Sequence, residues 1–340
     1  SLFFPLLWAT LAATQKLEES TLKLKELCIT PLSQLLPKAS VLDVLASANC
    51  DFVAEDVRTI GMSYKATNTS TDAYDAGTYE SKHITLVSCY DARGVSAAEN
   101  KDARIAFVDR DKNPDAYRYV LLVEPYDNAG SVDFRSVKVH ARGIAWYGNS
   151  LYVVDASRGF RVFDLTQIWK VESGDGIGRK AVLPQSRTYT ATDPPTPALR
   201  FSFISLDCTT TPDSLMVGEY QTALGPEPRR FVRWSIDYTN RQLVTDSAGI
   251  ATATWAYQVN IDRMQGVNSI NGKFYISRSN GGFNGHLITW VPGNLAKITG
   301  GAVPEGPEDL SYDKTSRLMY TFTEPVNGEY ILPFDPTVLP

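Results

Sequence analysis

Histidine and cysteine are scarce in this chain, whose 340 residues include only three histidines and four cysteines. Structural zinc sites and iron–sulfur clusters need several such ligands close together, so we expect neither. The C-x-x-C, H-E-x-x-H and G-x-S-x-G motifs of redox, zinc-protease and serine-hydrolase sites are also missing. We therefore expect no cofactor, apart from one calcium-like spacing considered below.

Excess positive charge is missing as well, because 33 lysines and arginines face 38 acidic residues, for a net charge of −5. Such a chain has no overall field that attracts phosphate backbones, which argues against a nucleic-acid partner. The amino-terminal apolar run, residues 2–13, is shorter than the roughly 20 residues that span a bilayer. It predicts the remnant of a secretory signal over residues 1–14, hence a secreted extracellular protein without a membrane partner. The alternative is an apolar segment that packs on the domain. We expect a monomer.

Residues 15–52 are predicted to form a helical segment docked on the main domain. Leu17, Thr21, Leu24 and Cys28 fall at i, i+4, i+7 and i+11, the spacing of one helix face.

Secretion predicts oxidised cysteines. The four cysteines allow three pairings, of which we expect Cys28–Cys50 with Cys89–Cys208. The acceptor sequon at Asn68 lies in a polar stretch that predicts a glycosylated surface loop.

Aromatic and turn-forming residues are abundant, with 37 aromatic side chains and 42 glycines and prolines. One pattern of short apolar strands recurs: residues 143–165 match 266–290, with Gly143 aligned to Gly266. Further copies lie in 201–237, 308–335 and, more divergently, 56–127. Each copy offers three strands, and residues 186–192 or 254–259 could add a fourth.

The repeat predicts an all-β fold, a β-propeller of four-stranded antiparallel blades over residues 53–340. Five blades are counted, or six or seven if 92–140 and 166–200 contain degenerate ones. The last unit lacks an outer strand, so we expect an amino-terminal strand to close the ring, because an open ring exposes strand edges.

Polar residues recur where the first strand of each unit begins, which in a propeller is one face of the central channel. Guanidinium groups bind carboxylates with two parallel hydrogen bonds, so the pattern predicts an acidic glycan or another small carboxylated ligand. The expected binding residues are Arg58, Arg142, Arg200, Arg263, Gln265 and Glu308. Six aromatic residues nearby suit stacking on sugar rings: Tyr64, Trp146, Tyr147, Tyr220, Trp234 and Tyr312.

Such a site could cleave a uronate by β-elimination, which needs carboxylate neutralisation, a base and an acid. His140 is the predicted base because it alone among the histidines begins a first strand. Tyr147 or Tyr220 is the predicted proton donor. The protein is then a polysaccharide lyase.

Two alternatives remain open. A glycosidase would use two carboxylates across the scissile bond, from Asp56, Asp155, Glu219 and Glu308. A non-enzymatic glycan-binding protein would need no such pair, although the different polar residues of each unit favour one asymmetric site over repeated lectin pockets.

A calcium loop is suggested by Asp109, Asp111, Asn113 and Asp115, which have its 1, 3, 5, 7 spacing. Pro114 and Val120, however, replace the required glycine and glutamate, which favours a solvated turn.

Several strings, among them DVRTIGMSY, HITLVSCYD, VHARGIAWYGNSLYVVDASRGFRVFDL and PEDLSYD, resemble a mostly uncharacterised family of secreted proteins from filamentous fungi and actinobacteria. The resemblance covers about residues 53–335 and implies no catalytic residues. In architecture and site composition the chain is more loosely similar to fungal propeller lyases that cleave rhamnose–glucuronate linkages, a fold-level analogy.

Overall fold

The computed structural model describes residues 20–27, 29, 34, 36–48, 50–52, 64–70, 78–79, 81–91, 102–112, 115–171, 181–192, 197–222, 228–323 and 331–338. At 50–52, 64–70, 78–79 and 90–91 only the backbone is described.

Five blades of mainly antiparallel strands follow one another along the chain, preceded by a short amino-terminal region. That region comprises β1 (Thr21–Glu26), β2 (Lys38–Ala39), α1 (Val41–Ala46) and β3 (Cys50–Phe52). Blade 1 comprises β4 (Tyr64–Ser70), β5 (Thr78–Tyr79), β6 (Lys82–Asp91), β7 (Ala103–Asp109), β8 (Asp115–Asn128) and β9 (Ser131–Ser136).

Blade 2 comprises β10 (Ile144–Tyr147), β11 (Ser150–Asp155), β12 (Gly159–Asp164), a 3-10 turn (Leu165–Gln167), β13 (Ile168–Lys170) and β14 (Ala181–Thr192). The parallel pairing of β8 with β14 joins blades 1 and 2 in one sheet. Blade 3 comprises β15 (Phe203–Asp207), β16 (Ser214–Gly218), β17 (Arg229–Asp237), β18 (Gln242–Leu243) and β20 (Trp255–Val259), and the segment between β18 and β20 forms β19 (Ile250–Thr252), which pairs with β1. Blade 4 comprises β21 (Met264–Ile270), β22 (Lys273–Arg278), β23 (Gly285–Trp290) and β24 (Lys297–Val303). Blade 5 comprises β25 (Pro307–Asp313), β26 (Leu318–Thr323) and β27 (Ile331–Phe334), and a 3-10 turn (Pro336–Val338) follows.

The first strand of each blade lies at the centre, where β4, β10, β15, β21 and β25 contact one another in a closed ring. The described residues therefore form a five-bladed β-propeller, as the repeat predicts. The predicted fourth strands of blades 2 and 3 are confirmed, since β14 pairs with β12 and β20 pairs with β17.

The hydrophobic core is divided among the spaces between successive blades. Ile144, Ile204, Val267 and Leu310 hold corresponding places on four inner strands, and each belongs to a different buried cluster. Helix α1, capped by Ser40, contributes Val44 and Leu45 to the cluster between blades 1 and 2. Because burial of apolar area is the main stabilising term, the ring is held together at every blade boundary.

The repeated glycines Gly143 and Gly266 allow the next blade to approach closely. A Cβ at Gly143 would lie 2.8 Å from the Ile204 nitrogen, and one at Gly266 would collide with the Asp309 backbone. Neither glycine has a positive φ, so packing rather than backbone conformation requires it.

We expect Gly143→Ala and Gly266→Ala each to lower the free energy of unfolding by about 1–3 kcal/mol, because an added methyl group overpacks a blade boundary. The control is Gly282→Ala, where the nearest atom to the new Cβ is 3.7 Å away. Chemical denaturation measures all three; equal effects would refute the packing role.

The helix predicted across Thr21–Glu26 is wrong, because these residues form β1. Leu22 and Leu24 alternate with Lys23 and Lys25, a period-two pattern that matches a strand. This strand pairs with β14 of blade 2 and with β19, which lies between two strands of blade 3. It therefore joins two middle blades, and among the described residues no amino-terminal strand completes blade 5.

Two further predictions need correction. No disulfide joins Cys89 to Cys208, since Cys89 is buried on β6 of blade 1 and Cys208 follows β15 of blade 3. Asn68 lies on the inner strand β4, paired with β6, rather than in a loop. Cys28 and residues 1–14 lie outside the described residues.

Candidate functional site

A cavity of about 340 Å³ opens between blades 2 and 3, on the face where the inner strands begin. Its walls come from the segment before β10, the end of β11 and the segment before β15. His140, Arg142 and Arg200, three of the predicted site residues, line it together with Lys138 and Asp155. The described lining of the cavity thus comes from blades 2 and 3.

Alternation of side chains explains how the first wall is built. In the segment before β10, Val137, Val139 and Ala141 are buried, while the intervening Lys138, His140 and Arg142 are exposed or half-exposed. Successive side chains of an extended chain point to opposite sides, so three basic groups share the outer side. Sequence reasoning missed Lys138, although this alternation could have revealed it.

Arg200 reaches the cavity from the opposite wall, again between buried neighbours, Leu199 and Phe201. Its backbone is anchored because the Arg200 N–H donates to Glu219 Oε1 at 2.9 Å. Phe201 N–H donates to the Ala156 carbonyl at 3.2 Å, which ties this wall to the end of β11.

A buried ion pair holds the segment that carries Arg200. Arg230 donates from Nε and from a terminal nitrogen to the two oxygens of Glu219, each at 2.7 Å, and both side chains are almost completely buried. Arg230 also donates to the carbonyls of Pro197 and Ala198 at 3.0 and 3.1 Å. Glu219 and Arg230 therefore act as a clamp on the backbone around Arg200, and we name them the Glu219–Arg230 clamp.

The described lining of the cavity has an excess of positive charge. Lys138, Arg142 and Arg200 are cationic, whereas Asp155 is the one carboxylate among the described lining residues. Arg161 already neutralises Asp155 through contacts of 3.1 Å. The described lining is thus locally cationic in a chain whose net charge is −5.

His140 is hydrogen-bonded within the site, because Arg142 Nε donates to its Nδ1 at 3.3 Å. A guanidinium can only donate, so Nδ1 is unprotonated in this arrangement and a neutral ring carries its proton on Nε2. In this arrangement the Nε2–H group of His140 can donate a hydrogen bond.

Tyr147 does not reach this cavity, which contradicts its predicted role as proton donor. It is the last residue of β10, at the end of the strand opposite to His140, and its ring is fully buried. The hydroxyl donates to Asp213 Oδ2 at 2.5 Å. Burial and this carboxylate raise the pKa of Tyr147 far above its usual value.

We expect Tyr147→Phe to lower the free energy of unfolding by about 1–3 kcal/mol through loss of a hydrogen bond to a charged group. Affinity for a ligand of the cavity should stay unchanged. Chemical denaturation measures the stability and titration calorimetry the affinity, both on the same sample. A weakened affinity would show that Tyr147 contributes to the site.

Arg263, Gln265 and Glu308 are not among the described residues that line the cavity. Arg263 pairs with Asp262 at 3.1 Å, and its backbone N–H donates to the Gln221 carbonyl. Gln265 lies at a bulge of β21, and the Glu308 carbonyl accepts from Ser277 Oγ. Arg263 and Gln265 thus belong to blade 4 and Glu308 to blade 5.

Three further residues named in the sequence analysis are Tyr220, Arg58 and Asp56. Tyr220 is half-buried next to the site, where its N–H donates to Oγ of the cavity residue Ser202 at 3.0 Å, but it does not line the cavity. Arg58 and the glycosidase candidate Asp56 lie outside the described residues.

Aromatic stacking in the cavity is not supported by the described residues. Trp146, Tyr147 and Trp234 are buried in the core, and Tyr312 lies at the axial channel. No tyrosine or tryptophan is among the described lining residues, where Phe201 is the one aromatic side chain. The described lining therefore offers no tyrosine or tryptophan ring for stacking on a sugar.

The calcium-like stretch uses its carboxylates in other contacts. Asp111 contacts Lys82 and His83 at 3.4 and 2.7 Å, and Asp115 pairs with Arg110 at 2.6 Å. Among the described residues no group of three or more histidine, cysteine or acidic side chains is arranged to hold a metal ion. Nor does the described part of the chain contain a helix long and apolar enough to cross a membrane.

Comparison with known proteins identifies no family. No family model matches the chain, and no curated protein matches it. The resemblance to a secreted fungal and actinobacterial family therefore stays a prediction.

Solved structures similar to this chain include three of very different kinds. A GH43_1 enzyme from Xanthomonas citri is 11% identical, with 85% of this chain and 92% of that chain covered, at a TM-score of 0.38. The β-propeller domain of Cps50 (Swd1) from Myceliophteria thermophila is 10% identical, with 78% of this chain and 82% of that chain covered, at a TM-score of 0.36. Kuenenia stuttgartiensis hydrazine synthase is 10% identical, with 79% of this chain and 76% of that chain covered, also at a TM-score of 0.36. Likenesses this distant assign no activity to the chain.

Proposed function

We propose that this propeller binds a small carboxylated ligand, such as the uronate residue of an acidic glycan, in the cavity between blades 2 and 3. The observation that carries the proposal is the convergence of Lys138, Arg142 and Arg200 on one cavity whose one described carboxylate is already paired. Arginine forks bind carboxylates bidentately, and His140 can add a hydrogen bond.

The size of the cavity supports a ligand of about one sugar ring. Pockets for small molecules start at about 300 Å³, and this one has about 340 Å³. A secreted protein, as the amino-terminal run predicts, would meet such acids in extracellular glycans.

Binding without cleavage is better supported than the two enzymatic alternatives. Elimination needs a base and an acid, but His140 Nδ1 accepts from Arg142 and Tyr147 lies at the other end of β10. Glycoside hydrolysis needs two available carboxylates; among the described candidates Asp155 is paired with Arg161, Glu219 is buried against Arg230 and Glu308 does not line the cavity, while Asp56 lies outside the described residues.

The test is calorimetric titration with D-glucuronate and, in parallel, with D-glucose. We expect the acid to bind with an affinity that falls as salt is added, and the neutral sugar to bind at least tenfold more weakly. Equal affinities, or none for either, would overturn the proposal. Oligouronides incubated with the protein should yield no absorbance from a new conjugated double bond; such absorbance would establish the lyase instead.

A further inference from the structure

The propeller axis contains a second, smaller cavity, distinct from the one between blades 2 and 3. This axial chamber has a volume of about 30 Å³ and is lined by the inner strands of blades 2 to 5. Its mouth carries Thr209, Tyr312 and Lys314, at the ends of inner strands, so it lies toward the opposite face from the proposed ligand.

Corresponding positions of the repeat form a ring of small side chains around the chamber. Ala145, Ser205, Asn268 and Ser311 each follow the apolar inner-strand residue that packs between blades, and all four line the chamber. Each pairs with a residue of the second strand in its own blade: Tyr152, Met216, Tyr275 and Tyr320 respectively. Alternation along each strand turns them to the sheet face opposite to that apolar residue, where they border the chamber.

Three of these four side chains carry a buried oxygen with no hydrogen-bond partner in the protein. They are Ser205 Oγ, Asn268 Oδ1 and Ser311 Oγ. Ser205 and Asn268 are only 3% and 2% exposed. A buried polar atom without a partner is costly, so three around one chamber indicate that something else satisfies them.

The chemistry of the chamber selects the occupant. A volume of about 30 Å³ holds about two water molecules, since one needs roughly 10–15 Å³. No carboxylate is among the described residues of the lining, and the cationic Lys314 stands at its mouth. Both facts disfavour a metal cation, which prefers charged oxygen ligands.

We propose that the axial chamber binds one or two ordered water molecules that bridge Ser205, Asn268 and Ser311. Water can donate to the amide oxygen and either donate to or accept from each serine hydroxyl. These waters would join the inner strands of blades 3, 4 and 5 through three side chains that have no other hydrogen-bond partner in the protein. The site is independent of the anion-binding proposal.

A crystal structure that resolves ordered solvent tests the proposal directly. We expect one or two density peaks at about 2.7–3.2 Å from the three oxygens. Crystals soaked in rubidium chloride should show no anomalous peak there. Such a peak would show that the chamber binds a monovalent cation instead of water. Either that peak or a chamber without density would refute the proposal.

Two serine variants provide a test in solution. If waters satisfy the hydroxyls, Ser205→Ala and Ser311→Ala lower the melting temperature by about 1–2 °C each, as loss of one hydrogen bond should in a chain of this size. The matched control is Ser277→Ala, because Ser277 is fully buried and its Oγ donates to the Glu308 carbonyl at 2.6 Å. If the control lowers the melting temperature while both chamber variants raise it, the two hydroxyls have no partner and the proposal fails.

Discussion

Replacing Glu219 by glutamine should lower the free energy of unfolding by about 3–5 kcal/mol, because it leaves the Arg230 guanidinium buried without a counter-charge. Glu219 also accepts from the N–H groups of Arg200 and Arg230, so four donors converge on its carboxylate. The control is Glu305→Gln, because Glu305 is half-exposed in the segment just before β25. We expect this change to lower the free energy of unfolding by less than about 0.5 kcal/mol. Urea denaturation measures both, and similar losses at the two positions would contradict the clamp.

A double variant separates stability from positioning. Replacing a buried ion pair by apolar residues is often neutral, so Glu219→Leu with Arg230→Met should recover part of the lost stability. The carbonyls of Pro197 and Ala198 still lose their donors, and the backbone around Arg200 is no longer held. We therefore expect a folded protein whose affinity for glucuronate remains weakened. Full affinity in this folded variant would show that the clamp does not position Arg200.

Removing either cavity arginine should have the largest effect on binding. We expect Arg142→Ala and Arg200→Ala each to weaken glucuronate binding about 10- to 100-fold, since a hydrogen bond to a charged group contributes about 1.5–3 kcal/mol. The two residues come from opposite walls of one cavity, so their effects should not be independent. Titration calorimetry of the single and double variants measures this coupling.

The control for this series is Arg317→Ala, because Arg317 is exposed in the turn between β25 and β26, far from the cavity lining. Arg317→Ala removes one positive charge, as Arg142→Ala and Arg200→Ala each do. If Arg317→Ala weakens binding as much as Arg200→Ala, the affinity reflects net charge rather than a built site.

The fold was largely predictable because propeller repeats leave a regular signal. Alternating strands recur with glycine at corresponding starts, and Gly143 and Gly266 do mark the close approach of neighbouring blades. The amino-terminal strand β1 was not predictable in the same way. Its leucines fit a helix face with Leu17 and Cys28 as well as a strand by themselves, and only pairing with β14 and β19 decides between the two.

The sequence predicted on which face of the propeller the candidate site lies, but not which blades form it. His140, Arg142 and Arg200 meet because blades 2 and 3 are neighbours along the chain. Arg263 begins an equivalent strand one blade further on, where Asp262 pairs with it. Burial alone would raise the pKa of Asp262, but Arg278 and Arg263 outweigh it and lower that pKa below its usual range. That local pairing depends on tertiary contacts that no single repeat reveals.

The most direct measurement of the central claim compares glucuronic acid with its methyl ester in calorimetric titrations of the unmodified protein. The ester replaces the negatively charged carboxylate oxygen by a neutral methoxy group and keeps the rest of the sugar, so it lacks the charge that we propose Lys138, Arg142 and Arg200 bind. We predict that the ester binds at least tenfold more weakly, and that Arg142→Ala with Arg200→Ala abolishes the difference. Equal binding of acid and ester by the unmodified protein would contradict the assignment of this cavity to a carboxylate.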